Sequence, residues 1–189
     1  MTDSTSKNQS STNNPSQASI AQLVAAVADT LMQHGWMLAT AESCTGGLIA
    51  GHCTDLAGSS QWFERGFVTY SNEAKHDMHG VDNAILTEHG AVSEPTAQAM
   101  ALGALRHSRA QVSIAVTGVA GPTGGSKDKP VGTVWFAWGV PSDTGPTLGA
   151  EIAWVKTERM QFAGDRAAVR QATIAHALQT LLQLLKAST

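Results

Sequence analysis

The sequence predicts an α/β protein, a three-layer α/β/α sandwich in which helices cover both faces of one mainly parallel or mixed sheet. Segments with apolar residues at helical spacing alternate along the chain with short β-branched or aromatic runs, and there is no internal repeat. The chain has 189 residues and is 42% hydrophobic, which is enough for one core. We therefore predict a single domain over 19–189.

The first 18 residues are almost wholly polar and rich in Ser, Asn and Gln, so we expect a disordered tail over 1–18. A helix follows over 19–34, with Ser19 as its cap, because apolar residues recur at helical spacing before a His-Gly stop signal. A short buried strand is predicted over 36–41. The pair Gly46-Gly47 then introduces a second helix, which continues through Leu56.

The rest of the chain repeats this alternation. A strand is predicted over 63–70 from its β-branched and aromatic content, and Ser71 and Asn72 can cap a short helix after it. The remaining predicted elements are a helix from Pro95 to about His107, a strand over 112–117, a long Gly/Pro loop over 118–132, strands over 133–138 and 151–156, and a C-terminal helix after Gly164-Asp165-Arg166.

A candidate nucleophile follows the first predicted strand, in the segment AESCTGG. Ligands on open α/β sheets collect at the carboxyl ends of strands, and Ser43 lies at such an end. Backbone N–H groups near Thr45 and Gly46, where the helix starts, can stabilise a developing oxyanion. The alternative interpretation is that Ser43 or Thr45 only caps the helix.

A candidate base lies in TYSNEAK, at the next junction between a strand and a helix. A desolvated lysine can take the proton of a serine, so we predict that Lys75, assisted by Tyr70, activates Ser43. This role requires the lysine pKa to fall from about 10.4 to about 7.5, at a free-energy cost of roughly 4 kcal/mol. The alternative is a surface lysine beside a core tyrosine.

The Gly-rich segment TGVAGPTGGS follows a predicted strand and is a candidate substrate loop. Its glycines allow backbone amides to approach an anion, so Thr117, Gly118 and Gly121 are candidate substrate-binding residues. The segment matches neither the GxxxxGK[ST] phosphate loop nor the dinucleotide fingerprint. A plain flexible loop is the alternative.

Several classes of site and partner are not expected. Cys44 and Cys53 form no CxxC motif and His76 and His79 have no partnering motif, so we predict free thiols, no metal and no cofactor. A net charge of −3 gives no footprint for nucleic acid. No long apolar run or secretion signal is visible, which predicts a cytoplasmic protein without a membrane partner.

Five segments, taken in order, carry a family resemblance: AESCTGG, AGSSQWFERGFVTYSNEAK, HGAVSEP, TGVAGPTGGSKDKPVGTVWFAW and FAGDRAAVR. Over roughly 19–186 the chain resembles the nicotinamide-nucleotide amidohydrolase family, also called the CinA C-terminal domain family. The resemblance implies a three-layer α/β/α hydrolase that converts nicotinamide mononucleotide (NMN) to nicotinate mononucleotide and ammonia in pyridine-nucleotide recycling. Ser43 matches the family's nucleophile, Tyr70 and Lys75 its tyrosine and lysine, and Arg166 the arginine of its GDR motif.

The resemblance also implies that Arg166 lies near the phosphate or the carboxamide of the substrate. The chain resembles the stand-alone form of the family, and we expect a homo-oligomer, most simply a dimer. Two other functions remain open: a non-catalytic module that binds a pyridine nucleotide, and a serine amidohydrolase for another small amide.

Overall fold

A computed structural model describes residues 19–141 and 154–187. The predicted tail over 1–18 and the predicted strand start at Glu151 lie outside the described residues. In chain order the elements are α1 (Ile20–His34), β1 (Leu38–Glu42), α2 (Leu48–Thr54), a 3-10 turn (Ser59–Gln61), β2 (Phe63–Val68), α3 (Asn72–His79), α4 (Asn83–His89), α5 (Glu94–Arg106), β3 (Val112–Gly118), β4 (Thr133–Val140), β5 (Trp154–Gln161) and α6 (Arg166–Ala187).

The five strands form one mixed sheet in the order β2-β1-β3-β4-β5. The strand β1 runs parallel to both of its neighbours, whereas β4 is antiparallel to β3 and β5. In the register, Glu42 lies opposite Val68 on one side and Val116 on the other, so the carboxyl ends of the three parallel strands meet at one edge. The segments that carry the predicted site residues leave the sheet at this edge.

Helices cover both faces of the sheet, which confirms the predicted sandwich. On one face, α1, α2 and α6 pack against large side chains such as Ile114 and Phe136. On the other face, α4 and α5 pack against small ones, among them Ala115 and Ala137. Because successive strand residues point to opposite faces, each strand supplies both layers. The small residues let α5 lie close to the sheet.

Local signals explain where several helices begin. Ser19 forms a capping box with Gln22 at the start of α1, as predicted, and Gly35 ends that helix with a φ of 65°. Ser71 caps α3 through its hydroxyl, also as predicted, and Ser93 does the same for α5. The serines therefore satisfy backbone donors that a helix leaves unpaired at its start.

Some element bounds differ from those predicted. The strand β5 continues to Gln161, well past the predicted end at Lys156, because it pairs with β4 from Trp154 onward although its residues are largely polar. The strand β2 ends at Val68 rather than at residue 70. The helix α4, capped by Asp82, is not among the elements predicted from the sequence. No helix in 19–141 or 154–187 is long and apolar enough to span a bilayer.

Candidate active site

A cavity of about 210 Å³ opens at the carboxyl edge of β1, β2 and β3. A wider polar groove of about 410 Å³ lies between α3 and α4 and contains none of the predicted site residues. The smaller cavity holds the candidate nucleophile and base, so it is the candidate active site. Its lining residues are Ser43, Cys44, Tyr70, Lys75, Ala91, Val92, Thr117, Gly118, Ala120 and Arg166.

Ser43 and Lys75, which are 32 positions apart in the chain, meet in this cavity. The Lys75 Nζ lies 3.2 Å from the Ser43 Oγ. Both side chains are shielded from solvent, with exposed fractions of 8% for Ser43 and 1% for Lys75. A contact of this length permits direct proton transfer between a nucleophile and its base. The alternative of a solvated surface lysine does not fit this burial.

The surroundings of Lys75 combine burial with backbone acceptors. Its Nζ lies 2.9 Å from the carbonyl oxygen of Thr69 and 3.4 Å from those of Tyr70 and Ser71. Burial lowers the pKa of Lys75 from its ordinary value, because the charged ammonium is poorly solvated there. A neutral amine has two N–H bonds for these carbonyls and one lone pair for the Ser43 hydroxyl.

Cys44 lies beside the nucleophile and is a second potential attacking group in the cavity. Burial raises the pKa of its thiol to about 12. A thiol must lose its proton to become a strong nucleophile, so this shift disfavours attack by Cys44 at neutral pH. Ser43 is the attacking group that the geometry favours.

The turn after β1 leaves two backbone amides without an oxygen acceptor among the described residues. The Gly46 N–H donates to the Ser43 carbonyl at 3.1 Å, and Gly47 donates to a carboxylate of β1. The Thr45 N–H has no described partner, and the Cys44 N–H interacts only with the thiol of its own residue. Of the two predicted oxyanion donors, the Thr45 amide is thus not used within the turn, whereas the Gly46 amide is already bonded to Ser43.

Two residues that bond to this turn or to the helix start after it were not predicted from the sequence. The carboxylate of Glu42 accepts hydrogen bonds from the start of α2, and the Arg170 Nη2 donates to the Thr45 carbonyl at 2.8 Å. A signal for each was present in the sequence. Glu42 is an acidic residue just before a helix start, and Arg170 lies one helical turn after Arg166.

Tyr70 and Arg166 lie at the mouth of the cavity. The Tyr70 side chain is 60% exposed, and its hydroxyl accepts a hydrogen bond from the Arg166 Nη2 at 3.0 Å. Arg166 also donates to the Gly121 carbonyl, so it ties α6 to the Gly-rich loop. Tyr70 contacts Lys75 through its backbone carbonyl rather than through its phenol, and assistance of proton transfer by the phenol stays a prediction.

The three predicted loop residues have different positions. Thr117 and Gly118 line the cavity, whereas Gly121 is not among the lining residues and its carbonyl accepts a hydrogen bond from Arg166. The Thr117 hydroxyl donates to the Ala91 carbonyl at 2.7 Å and so holds the opposite wall. A side chain at Gly118 would place its Cβ 2.7 Å from the Thr133 carbonyl oxygen. The lack of a side chain at Gly118 thus lets β3 and β4 approach at the edge of the site.

Histidines and carboxylates do not gather near the cavity. Within the described ranges, no group of three or more His, Cys, Asp or Glu side chains is arranged to hold a metal ion. His76 bonds to the Val81 carbonyl, and His79 is buried against Phe67. No histidine is among the residues that line the cavity.

Comparison with known proteins identifies a family. The family model described as "CinA C-terminal domain" matches residues 20–185. The chain belongs to the CinA C-terminal domain family. This confirms the family that the five sequence segments indicated.

Close relatives of this CinA domain have a similar length. The nicotinamide-nucleotide amidohydrolase PncC of Shigella flexneri is 53% identical over 162 residues, which cover 86% of this chain and 92% of that protein. The protein of the same name from Escherichia coli K12 is 52% identical with the same coverage. The crystal structure of the competence/damage inducible protein CihA from Agrobacterium tumefaciens matches with a TM-score of 0.80 at 44% identity, over 92% of this chain and 99% of that one.

Proposed function

We propose that this CinA-family domain is a serine amidohydrolase that converts NMN to nicotinate mononucleotide and ammonia. Relatives that are about half identical over most of the chain are named nicotinamide-nucleotide amidohydrolases, which supports both the reaction class and the substrate. The observation that carries the proposal is the 3.2 Å contact between the Lys75 Nζ and the Ser43 Oγ in a shielded cavity.

In the first half of the reaction, the neutral amine of Lys75 takes the hydroxyl proton of Ser43 while the serine oxygen attacks the carboxamide carbon. The Lys75 ammonium then gives this proton to the departing nitrogen, and the C–N bond breaks to release ammonia. An ester between Ser43 and the nicotinate group remains. General-base activation of this kind contributes about 10²- to 10⁴-fold to the rate.

In the second half, a water molecule attacks the ester carbon and gives a proton to Lys75. The Ser43 oxygen leaves, takes that proton back, and nicotinate mononucleotide is released. Lys75 begins and ends the cycle as a neutral amine, which agrees with the direction of its pKa shift. The sequence of steps needs no metal and no cofactor.

Negative charge develops on the carbonyl oxygen of the amide in the first half of the reaction and of the ester in the second half. The N–H groups of Cys44 and Thr45, which bond to no described oxygen, are the donors that we assign to this oxygen. Loss of one such donor lowers kcat by about 10²- to 10³-fold in well-studied serine enzymes. Gly46 contributes by its backbone conformation, with a φ of 61°, rather than by its amide.

We propose that the cavity holds the nicotinamide ring with its amide towards Ser43 and its phosphate towards the mouth. Ala91, Val92 and Ala120 provide an apolar surface for the ring, and the guanidinium of Arg166 at the mouth suits the phosphate. We assign Tyr70 two supporting roles, through its carbonyl on Lys75 and through its phenol on Arg166. Thr117, Gly118 and Gly121 shape the loop side of the site.

We further propose that the domain spans 19–189 and acts in the cytoplasm as a homodimer, without nucleic acid or a membrane as partner. The low formal charge of −3 supports the exclusion of nucleic acid. Sedimentation of the purified protein tests the dimer, and a monomer at micromolar concentration would contradict it.

The test of the function is ammonia release from NMN by wild-type protein and by Ser43→Ala, with a chelator present throughout. We expect release by the wild type alone, while calorimetry shows that both proteins bind NMN. Turnover by Ser43→Ala near the wild-type rate would refute the nucleophile. Binding without turnover in the wild type would instead support a module that only binds the nucleotide.

A further inference from the structure

The segment that joins β1 to α2 is held differently at its two ends. At the strand end, the Glu42 carbonyl accepts from the Thr69 N–H at 2.9 Å, and the Ser43 N–H donates to a carbonyl of β3 at 3.0 Å. The helix end starts with Gly46 and Gly47, whose φ values are 61° and 91°. Fixing a glycine in one conformation costs more entropy than fixing any other residue. Because the hydrogen bonds to the sheet are at the strand end of the turn, other contacts are needed to hold its helix end.

We propose that Glu42 is a positioning residue for the nucleophile, an inference that rests on the proposed function of Ser43. The Glu42 side chain is fully buried and folds back over the turn to the first residues of α2. It thereby joins the two ends of the turn. Its carboxylate accepts hydrogen bonds from the N–H groups of Gly47 (3.1 Å), Ile49 (3.0 Å) and Ala50 (2.8 Å) and from the hydroxyl of Thr40 (3.2 Å).

This arrangement determines which amides remain for the substrate. Glu42 engages the amides at the start of α2, and the Gly46 amide bonds to Ser43, so the donors not bonded to an oxygen are those of Cys44 and Thr45. Glu42 thus orients the Ser43 Oγ towards Lys75 and restricts the oxyanion site to two amides next to the nucleophile. It is not among the residues that line the cavity, so we assign it no direct contact with the substrate.

The chemistry of the side chain makes the role specific to a carboxylate. In Glu42→Gln an NH₂ group replaces one oxygen, and because it only donates, it faces backbone N–H groups that also donate. Buried donors are then left unpaired and the turn shifts. Glu42→Asp keeps both oxygens but is one methylene shorter, so it retains part of the network.

The test compares kcat and KM for NMN in wild type, Glu42→Gln and Glu42→Asp, at a temperature where circular dichroism shows each protein to be folded. We expect kcat of Glu42→Gln to fall by about 100-fold, the scale expected for a small misplacement of a reacting group. KM should change little, because the cavity walls are intact, and Glu42→Asp should recover part of kcat. Folded Glu42→Gln with kcat close to that of the wild type would overturn the proposal.

A matched pair of variants separates positioning from stability. Thr40→Val removes the hydroxyl that bonds to Glu42, and Ser113→Ala removes an equally buried hydroxyl that donates to the Ala101 carbonyl at 3.0 Å elsewhere in the sheet. Both should lower Tm, but only Thr40→Val should lower kcat. If Glu42→Gln does not fold, this pair decides the matter, since equal kcat values in the two variants would overturn the proposal.

Acylation by p-nitrophenyl acetate, followed by intact mass, reports the reactivity of Ser43 without NMN. Slower acylation of Glu42→Gln than of wild type supports the positioning role even if the wild type releases no ammonia from NMN, a result that would refute only the proposed substrate. Ammonia release at equal rates by wild type and folded Glu42→Gln would refute only the positioning role. A wild type that shows neither reaction would refute both.

Discussion

The buried imidazole of His79 should make the protein lose stability in mild acid. Its side chain is 1% exposed, packs edge to face against Phe67 at a centroid distance of 4.8 Å, and has no hydrogen-bond partner for either ring nitrogen in the described structure. Burial lowers the pKa of His79 from 6.5 to about 4, with smaller contributions from His107 and Lys75. The folded protein therefore holds this imidazole in its neutral form.

The sign of the effect follows from proton linkage. Between pH 6.5 and 4 the unfolded chain binds a proton at His79 that the folded protein does not, so the free energy of unfolding falls as the pH falls. The stabilisation is complete above pH 6.5 and is lost progressively towards pH 4. The two pKa values correspond to a loss of about 2 kcal/mol at pH 5 and roughly 3 kcal/mol at pH 4.

The measurement is urea unfolding of wild type and His79→Phe at several pH values from 7.5 to 4.5. Phenylalanine keeps an aromatic ring against Phe67 but does not titrate, so the difference in stability between the two proteins should shift by about 2 kcal/mol between pH 7.5 and pH 5. His89→Gln, a change at an exposed imidazole, is the control and should follow the wild type. A pH-independent difference between wild type and His79→Phe would refute the reasoning.

Two further predictions concern the cavity. Because burial lowers the pKa of Lys75 and its neutral form is the base, kcat/KM for NMN should rise with pH through a pKa below the ordinary lysine value and be lost on the acid side. Lys75→Met should remove this limb and about 10²- to 10⁴-fold of the rate, and a pH profile shared with wild type would argue against Lys75 as base. Tyr70→Phe removes the acceptor of the Arg166 hydrogen bond at the mouth, so we expect KM to rise several-fold with a smaller change in kcat. Steady-state kinetics checks this, and a fall in kcat of about 100-fold at constant KM would instead support proton transfer through the phenol.

Much of the fold could be predicted from local patterns. The capped helix after Ser19, the strand before AESCTGG and the helix after Ser71 are encoded by residues a few positions apart, and each appears in the structure. The helix α4 was not predicted, and β5 is longer than predicted. Its largely polar residues lack the apolar/polar alternation that is typical of a half-buried strand. Pairing with β4, rather than local preference, determines the length of β5.

The candidate site also has a part that local sequence patterns predict and a part that depends on tertiary packing. The segments of Ser43 and Lys75 could be placed at strand ends from the sequence, since a strand followed by a glycine turn or a capped helix is a local pattern. The sequence places Glu42 before a helix start and Arg170 one turn after Arg166, but it does not show that these two residues bond to the turn or that the Tyr70 phenol is exposed. Each depends on how separate elements pack against one another.

The sequence by itself determined the family, the order of most helices and strands, and the segments that carry the candidate nucleophile and base, because these depend on motifs and short-range periodicity. Only the tertiary structure decided that the sheet is mixed, that the Lys75 Nζ lies 3.2 Å from the Ser43 Oγ, and that burial lowers the pKa of that lysine. Distances between side chains far apart in the chain follow from strand register, and the solvation of a charge follows from what covers it. Neither quantity is a property of a local segment.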